Sequence, residues 1–136
     1  MLQLSSSSRE RLEKWVRAGY PHETCGILVG RVQDGRVQVE RVLQARNLNA
    51  ERARDRYELD PAALVQADLE ARAAELEVVG FWHSHPDHPA RPSETDRQQA
   101  WEGYSYVIAS VGPEGVGDIT SWRLEGAQFE REDIQS

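Results

Sequence analysis

Two histidines that follow an apolar run are spaced so that they could bind one metal ion together. His83 and His85 are separated by one residue and come directly after residues 78–82, which are Val-Val-Gly-Phe-Trp. Side chains two positions apart on a β-strand point to the same face, so a strand here would place both imidazoles side by side. Pro86 cannot donate a hydrogen bond within a sheet, and we expect the strand to end there, with both rings at the sheet edge.

A carboxylate is predicted to return to these two rings. A loop of six residues separates Pro86 from Ser93, and Ser93 and Asp96 have the Ser-x-x-acid spacing of a helix start. A helix that begins there would bring the Asp96 carboxylate back towards His83 and His85. Two imidazoles and one carboxylate match the three protein ligands of a catalytic zinc site, in which water takes the fourth position. The spacing therefore predicts one zinc ion per chain at this place.

This stretch resembles the JAMM motif of the MPN-domain metallopeptidases, in which His-x-His-Pro is followed at a fixed distance by Ser-x-x-Asp. The family also has a glutamate on an earlier strand, and residues 21–30 are similar to that segment, with Glu23 in the corresponding place. The resemblance implies that Glu23 is the general base and lies outside the coordination shell of the metal. It also implies that Ser93 donates a hydrogen bond to the oxyanion of the tetrahedral intermediate.

The same resemblance implies an activity and a partner. JAMM enzymes hydrolyse the amide bond after the C-terminal Gly-Gly of ubiquitin or of ubiquitin-like proteins, with zinc activating the water. The chain has no room for a long insertion after Asp96, because Trp101 and a strand from Tyr104 follow at once. It is thus similar to compact prokaryotic members that release a ubiquitin-like or sulfur-carrier protein from a conjugate or from a C-terminal adduct. We expect a zinc metallopeptidase with such a partner.

Two other classes of function stay open. The first is a metal-free scaffold of the MPN type, which would bind partners without catalysis. Such relatives usually lack one or more of five residues that are all present here, namely Glu23, His83, His85, Ser93 and Asp96. The second is a zinc hydrolase that acts on a small amide.

Other reactive residues near the motif have simpler interpretations. His88 is interpreted as a loop residue at the mouth of the groove and not as a metal ligand. Cys25 is the only cysteine, and its apolar neighbours favour a small buried residue over a nucleophile. The arginine-rich segment 46–56 favours solvated surface, with contacts to an acidic partner as the alternative.

Composition limits the classes of protein further. The sequence has 136 residues, enough for one hydrophobic core, so we expect a single domain over residues 1–136. It has no apolar run long enough to span a membrane, and its start lacks the features of a secretory signal. A single cysteine cannot form an internal disulfide, which favours a cytoplasmic protein. The net charge of −7 argues against nucleic acid as a partner.

Periodicity and turn residues predict the elements that position the motif. Helices are expected from a cap at Ser7 to Gly19, from Pro61 to about residue 76 and from Glu94 to about Trp101. Strands are expected at 24–32, 36–45, 78–86, 104–111 and 118–124, with 127–134 as a last strand or a frayed tail. Elements in this order indicate a mixed sheet with helices packed on it. The family resemblance implies an α+β fold with a curved, mostly antiparallel sheet flanked by helices.

Overall fold

Three helices and eight strands make up the computed structural model, which describes residues 1–136. The helices are α1 (Ser6–Gly19), α2 (Pro61–Ala73) and α3 (Glu94–Gln99). The strands are β1 (Leu2–Gln3), β2 (Cys25–Gln33), β3 (Arg36–Ala45), β4 (Glu77–Pro86), β5 (Ser105–Gly112), β6 (Gly115–Glu125), β7 (Gln128–Glu132) and β8 (Ile134–Gln135). None of the helices is both long and apolar enough to cross a membrane.

All eight strands belong to one sheet, in the order β7-β6-β5-β4-β2-β3-β1-β8. Strand β2 pairs antiparallel with β3 and β4, and β6 pairs antiparallel with β5 and β7. Strand β4 pairs parallel with β5, and β1 pairs parallel with β3 and β8. The sheet is therefore mixed and mostly antiparallel, and the predicted α+β class is confirmed.

The two faces of β4 pack against different helices. Phe81 belongs to a cluster of buried apolar residues that includes Ala67 and Ala71 of α2. Its neighbour Trp82 belongs to a larger cluster with Leu12 and Val16 of α1. Because side chains alternate along a strand, the two histidines that follow in steps of two from Phe81 lie on the α2 face. The α1 face, in contrast, is a continuous apolar core.

Trp82 fixes β4 within the sheet. Its ring is fully buried, its Nε1–H donates to the carbonyl oxygen of Leu43 at 2.9 Å, and it stacks on Trp15 with ring centroids 6.0 Å apart. Gly26 lies opposite Trp82 in β2, and a Cβ atom at that position would come within 2.1 Å of the indole nitrogen. Only glycine allows the β2 backbone this close approach. The strand that carries the histidines is thus held from its apolar side.

Some element bounds differ from those predicted. The side chain that caps α1 is Ser5 and not Ser7, and its Oγ accepts from the backbone N–H of Ser8 at 3.2 Å. The run of four serines offers several equivalent caps, so the sequence pattern did not select one. Helix α2 ends at Ala73, followed by Glu75 with a φ of 60°, and this turn leads the chain into β4.

Candidate metal centre

Three donor atoms converge beyond the α2 face of the sheet. The Nε2 atoms of His83 and His85 are 3.1 Å apart, and Asp96 Oδ2 lies 3.2 Å from each of them. His83 and His85 are buried, with 1% and 7% of their surfaces exposed, and the Asp96 side chain is 10% exposed. A single metal ion could contact all three atoms at once. The structure thus brings together the three residues that the sequence predicted as ligands.

The start of α3 holds the Asp96 carboxylate in place. The Ser93 backbone N–H donates to Asp96 Oδ2 at 2.8 Å, and the Asp96 backbone N–H donates to Ser93 Oγ at 3.0 Å. This reciprocal pair is the capping box that the Ser-x-x-acid spacing predicted. Burial raises the pKa of Asp96, but its contacts with His83 and His85 and the hydrogen bond from the Ser93 N–H outweigh this effect. The net pKa of Asp96 lies well below its ordinary value, so the carboxylate is ionised.

The tautomer of His85 is set by a backbone carbonyl. Its Nδ1 lies 2.8 Å from the carbonyl oxygen of Pro89, so Nδ1–H donates there and Nε2 keeps its lone pair for a metal. Burial lowers the pKa of His85, but the neighbouring Asp96 carboxylate and the hydrogen bond to the Pro89 carbonyl outweigh burial, and the pKa is raised overall. The sequence did not predict this contact, because a backbone carbonyl leaves no residue-type signal.

His83 is held by stacking on one side. Its ring lies over that of Tyr57, with centroids 4.5 Å apart and planes inclined by 24°. Its Nδ1 is buried without a hydrogen-bond partner, and burial lowers the pKa of the ring below its ordinary value. His83 is therefore neutral, as a metal ligand must be. Tyr57 was not predicted as a site residue, because it follows a polar loop whose sequence has no clear period.

Glu23 is the second carboxylate of the centre. It is 6% exposed and lies two residues before the start of β2, and its carboxylate lies within 4.8 Å of donor nitrogens of His83 and His85. The Glu23 backbone N–H donates to the carbonyl of Ala53, and Asn47 Nδ2 donates to the Glu23 carbonyl at 3.1 Å. Burial raises the pKa of the Glu23 carboxyl to about 7. Glu23, His83 and His85 also form a cluster able to hold a metal ion.

A cavity of about 360 Å³ opens onto this centre. Its lining is entirely polar apart from one proline and comprises Glu23, Asp55, His85, His88, Pro89, Arg91 and Ser93. His88 lines the cavity but does not belong to the converging donor set. The segment 46–56 forms part of the wall through Asp55, and Arg56 donates to Thr95 Oγ1 in α3. The arginine-rich segment therefore borders the site.

Cys25 does not line the cavity. Its side chain is fully buried, and its Sγ lies 3.8 Å from the carbonyl oxygen of Ala45. Burial raises the pKa of the thiol to about 12, so it is protonated at neutral pH. A protonated, inaccessible thiol is not a nucleophile, which agrees with the interpretation of Cys25 as a small buried residue.

The candidate metal site thus consists of two histidines at the end of the central strand β4 and the carboxylates that lie near them. The family described as prokaryotic homologs of the JAB domain matches residues 5–125, and the chain belongs to that family. The chain is 37% identical over 126 residues to a desampylase from Haloferax volcanii, covering 89% of this chain and 87% of that protein. It is 32% identical over 116 residues to a CysO-cysteine peptidase from Mycobacterium tuberculosis, covering 84% and 77% of the two chains.

The fold is also similar to solved structures. A protein from Desulfitobacterium hafniense, known from a solution structure, superimposes with a TM-score of 0.87 at 30% identity. The match covers 98% of this chain and 91% of that one. The resemblance that the His-x-His-Pro and Ser-x-x-Asp segments predicted is thereby confirmed at the level of family and fold.

Proposed function

We propose that this chain is a zinc-dependent peptidase that hydrolyses the amide bond after the C-terminal Gly-Gly of a ubiquitin-like or sulfur-carrier protein. The observation that carries the proposal is the convergence of His83 Nε2, His85 Nε2 and Asp96 Oδ2 at mutual distances of 3.1 to 3.2 Å. These residues would hold the ion, and Glu23 and Ser93 would act on the substrate beside it.

The donor geometry fits zinc. Ligands about 2.0–2.1 Å from a tetrahedral zinc ion are separated from one another by about 3.3 Å. The three donor atoms are 3.1 to 3.2 Å apart, close to that value. Two imidazoles with one carboxylate are also a donor set that zinc uses in catalytic sites. When bound, zinc supplies a Lewis acid for the scissile carbonyl and makes water a nucleophile at neutral pH.

Glu23 is suited to move the proton. A general base works best when its pKa is near the working pH, and burial raises that of Glu23 to about 7. Its carboxylate projects into the cavity beside His85. Glu23 would take the proton of the attacking water and deliver it to the departing amine. Asp96, by contrast, is ionised, and its Oδ2 already accepts the Ser93 N–H and faces both imidazole Nε2 atoms, so it is placed to bind the metal and not to serve as the base.

Ser93 is suited to stabilise the oxyanion. Its Oγ accepts the hydrogen bond of the Asp96 backbone N–H and donates to no protein atom. Because a hydroxyl carries one hydrogen, that hydrogen is free for the substrate. The side chain lines the cavity and is held by the capping box, so its direction is fixed before substrate binds.

Family membership supports the substrate class. The similar proteins are named desampylase and CysO-cysteine peptidase, and the second name specifies a protein joined to cysteine. The intact set of Glu23, His83, His85, Ser93 and Asp96, gathered around one cavity, disfavours the scaffold function, which has no use for a buried carboxyl of raised pKa.

Cleavage of a defined substrate tests the proposal. A ubiquitin-like protein extended beyond its Gly-Gly by a short peptide is incubated with the zinc-loaded chain, and the products are read by intact mass. We expect one new mass that ends at the second glycine, and none with chelator present. An intact substrate together with one bound zinc per chain would contradict a peptidase and favour the scaffold. Cleavage of small amides alone would favour the small-amide hydrolase.

A further inference from the structure

The lining of the catalytic cavity contains one guanidinium, that of Arg91. The other charged side chains of the lining are Glu23 and Asp55. Asp55 is already paired with Arg52, whose guanidinium nitrogen lies 2.6 Å from the carboxylate. Arg91 is exposed, and it makes no ion pair with any carboxylate of the chain. A free cation therefore faces the space in which the scissile bond must lie.

The backbone that carries Arg91 is anchored. The Arg91 N–H donates to the carbonyl oxygen of Pro89 at 2.8 Å, the same oxygen that orients His85. The preceding residue, Ala90, is buried, and its carbonyl accepts from Thr120 Oγ1 at 2.7 Å. The following residue is a proline, which fixes one backbone angle just before Ser93. The backbone that carries the guanidinium is thus held in place close to His85 and to Ser93.

A guanidinium in this position matches a carboxylate. Its planar fork of N–H donors binds a carboxylate through two parallel hydrogen bonds, and it stays charged at every working pH. In a tail that ends Gly-Gly-X, where X is one amino acid, the free α-carboxylate of X is only two bonds from the scissile nitrogen. In a conjugate to a lysine side chain, the atoms next to the scissile nitrogen are an aliphatic stem without charge. The two kinds of substrate therefore differ at the atoms next to the scissile nitrogen, on the leaving group that must enter the cavity lined by Arg91.

We propose that Arg91 binds the α-carboxylate of a single amino acid joined to the carrier tail, and so selects one-residue adducts over isopeptide conjugates. The inference rests on the proposed peptidase function and specifies its leaving group. In the reaction, water adds to the glycine carbonyl and the C–N bond breaks. The carrier keeps a glycine carboxylate, and the amine of the released amino acid takes the proton that Glu23 carries. Arg91 makes no bond to the reacting atoms and acts as a specificity-determining residue.

Three substrates with one carrier test the inference. The first carries Gly-Gly-X with a free terminal carboxylate, the second carries the same residue as its C-terminal amide, and the third is joined to a lysine side chain of a peptide. We expect the wild-type kcat/KM for the free acid to exceed that for the amide and that for the lysine conjugate by at least roughly tenfold, the scale of a charge-assisted hydrogen bond. Arg91→Ala should raise KM for the free acid until it equals that of the amide, with kcat little changed. Arg91→Lys should recover part of the preference, because it keeps the charge and loses the fork.

Arg41 offers a matched control. It is exposed on β3 and does not line the cavity, so Arg41→Ala removes the same charge at a distance. We expect this variant to leave all three rates unchanged. Equal wild-type rates on acid and amide, or a parallel fall on both in Arg91→Ala, would overturn the role of Arg91.

A binding measurement separates this inference from the proposed function. In zinc-loaded Glu23→Gln, calorimetry compares the dissociation constants of the free acid and the amide, with and without the additional Arg91→Ala change. A preference for the acid that disappears with Arg91 supports the inference, whatever the rate of cleavage. Equal dissociation constants in the presence of Arg91 overturn it. Absence of cleavage by the wild-type chain contradicts the peptidase function only, because the binding comparison still decides the role of Arg91.

Discussion

Asp96 Oδ2 accepts the Ser93 backbone N–H at 2.8 Å, and the same oxygen faces the Nε2 atoms of His83 and His85 at 3.2 Å. One atom therefore serves as helix cap and as candidate metal ligand. The cap forms from residues close in sequence, so it positions the carboxylate without help from an ion. The capping box and the metal site thus share one atom, so the start of α3 helps to fix the position of the third donor.

Zinc content tests the ligand assignment. We expect the purified chain to hold about one zinc ion, and His83→Ala or Asp96→Asn to lose it or bind it far more weakly, because three protein ligands become two. Asp96→Asn keeps an oxygen that can accept the Ser93 N–H, so it separates the loss of a ligand from the loss of the cap. Glu94→Ala, an exposed acidic residue in the same helical turn, is the control and should bind zinc normally. The zinc content of the four proteins is measured by metal analysis. Undiminished zinc in both His83→Ala and Asp96→Asn would contradict the assignment of these residues as ligands.

The parts of this site that the sequence predicted depend on contacts close along the chain. The His-x-His pair needs only the period of one strand, and the Ser93–Asp96 box needs only one helical turn. Tyr57 and the Pro89 carbonyl could not be predicted in the same way. Stacking on His83 depends on the path of a loop without a repeating pattern, and a carbonyl carries no side-chain signal.

The same distinction holds for the fold. Long strands such as β2 and β4 show runs or alternation that the sequence displays, and they were predicted within a few residues. Strands β1 and β8 have two residues each, too few to show a period, and they pair only because the rest of the sheet brings them together. Their place at one edge of the sheet follows from tertiary structure alone.

Replacement of Glu23 by glutamine distinguishes a role as general base from a role as metal ligand. We expect Glu23→Gln to keep zinc and fold while kcat falls at least about a hundredfold, since the neutral amide cannot accept the proton of the attacking water. Steady-state kinetics on a Gly-Gly-X substrate and metal analysis are made on the same preparation. Loss of zinc from this variant would instead make Glu23 a ligand, in line with its position within 4.8 Å of the histidine nitrogens.

The raised pKa of Glu23 predicts a pH dependence of stability in the metal-free chain. Burial raises this pKa from 4.5 to about 7, so between these values the folded state holds a proton that the unfolded state has released. The free energy of unfolding therefore decreases as pH rises through this window and levels off above it, by up to about 3 kcal/mol for this group. Glu23→Gln has no such proton. Denaturant unfolding with chelator at pH 5 and pH 8 should show the variant gaining stability relative to wild type at the higher pH, and an unchanged difference would contradict the burial of a neutral carboxyl.

Because Cys25 is buried, we expect its thiol to react slowly with alkylating reagents. With a pKa of about 12, the thiolate fraction at pH 8 is on the order of one in ten thousand, and the side chain is inaccessible to reagents. We expect iodoacetamide to alkylate the native chain at least about a hundredfold more slowly than the chain in concentrated guanidinium chloride, followed by intact mass. Cys25→Ala should retain peptidase activity. Rapid labelling of the native chain, or a folded but inactive Cys25→Ala variant, would contradict this expectation and favour a nucleophilic thiol.

A comparison of two serine N-caps, Ser5 and Ser93, separates the catalytic role of Ser93 from its role in helix stability. Ser5 and Ser93 both accept a backbone N–H at the start of a helix, but only Ser93 lines the cavity. Replacement of either by alanine removes a cap, and we expect each to lower the free energy of unfolding by about 1 kcal/mol. Ser93→Ala should also lower kcat roughly a hundredfold or more, the usual effect of removing one oxyanion donor, whereas Ser5→Ala should leave kcat unchanged. Thermal unfolding and steady-state kinetics on both variants measure the two effects separately. If Ser93→Ala loses stability but keeps kcat, its hydroxyl serves the helix alone and the oxyanion must be stabilised by another group.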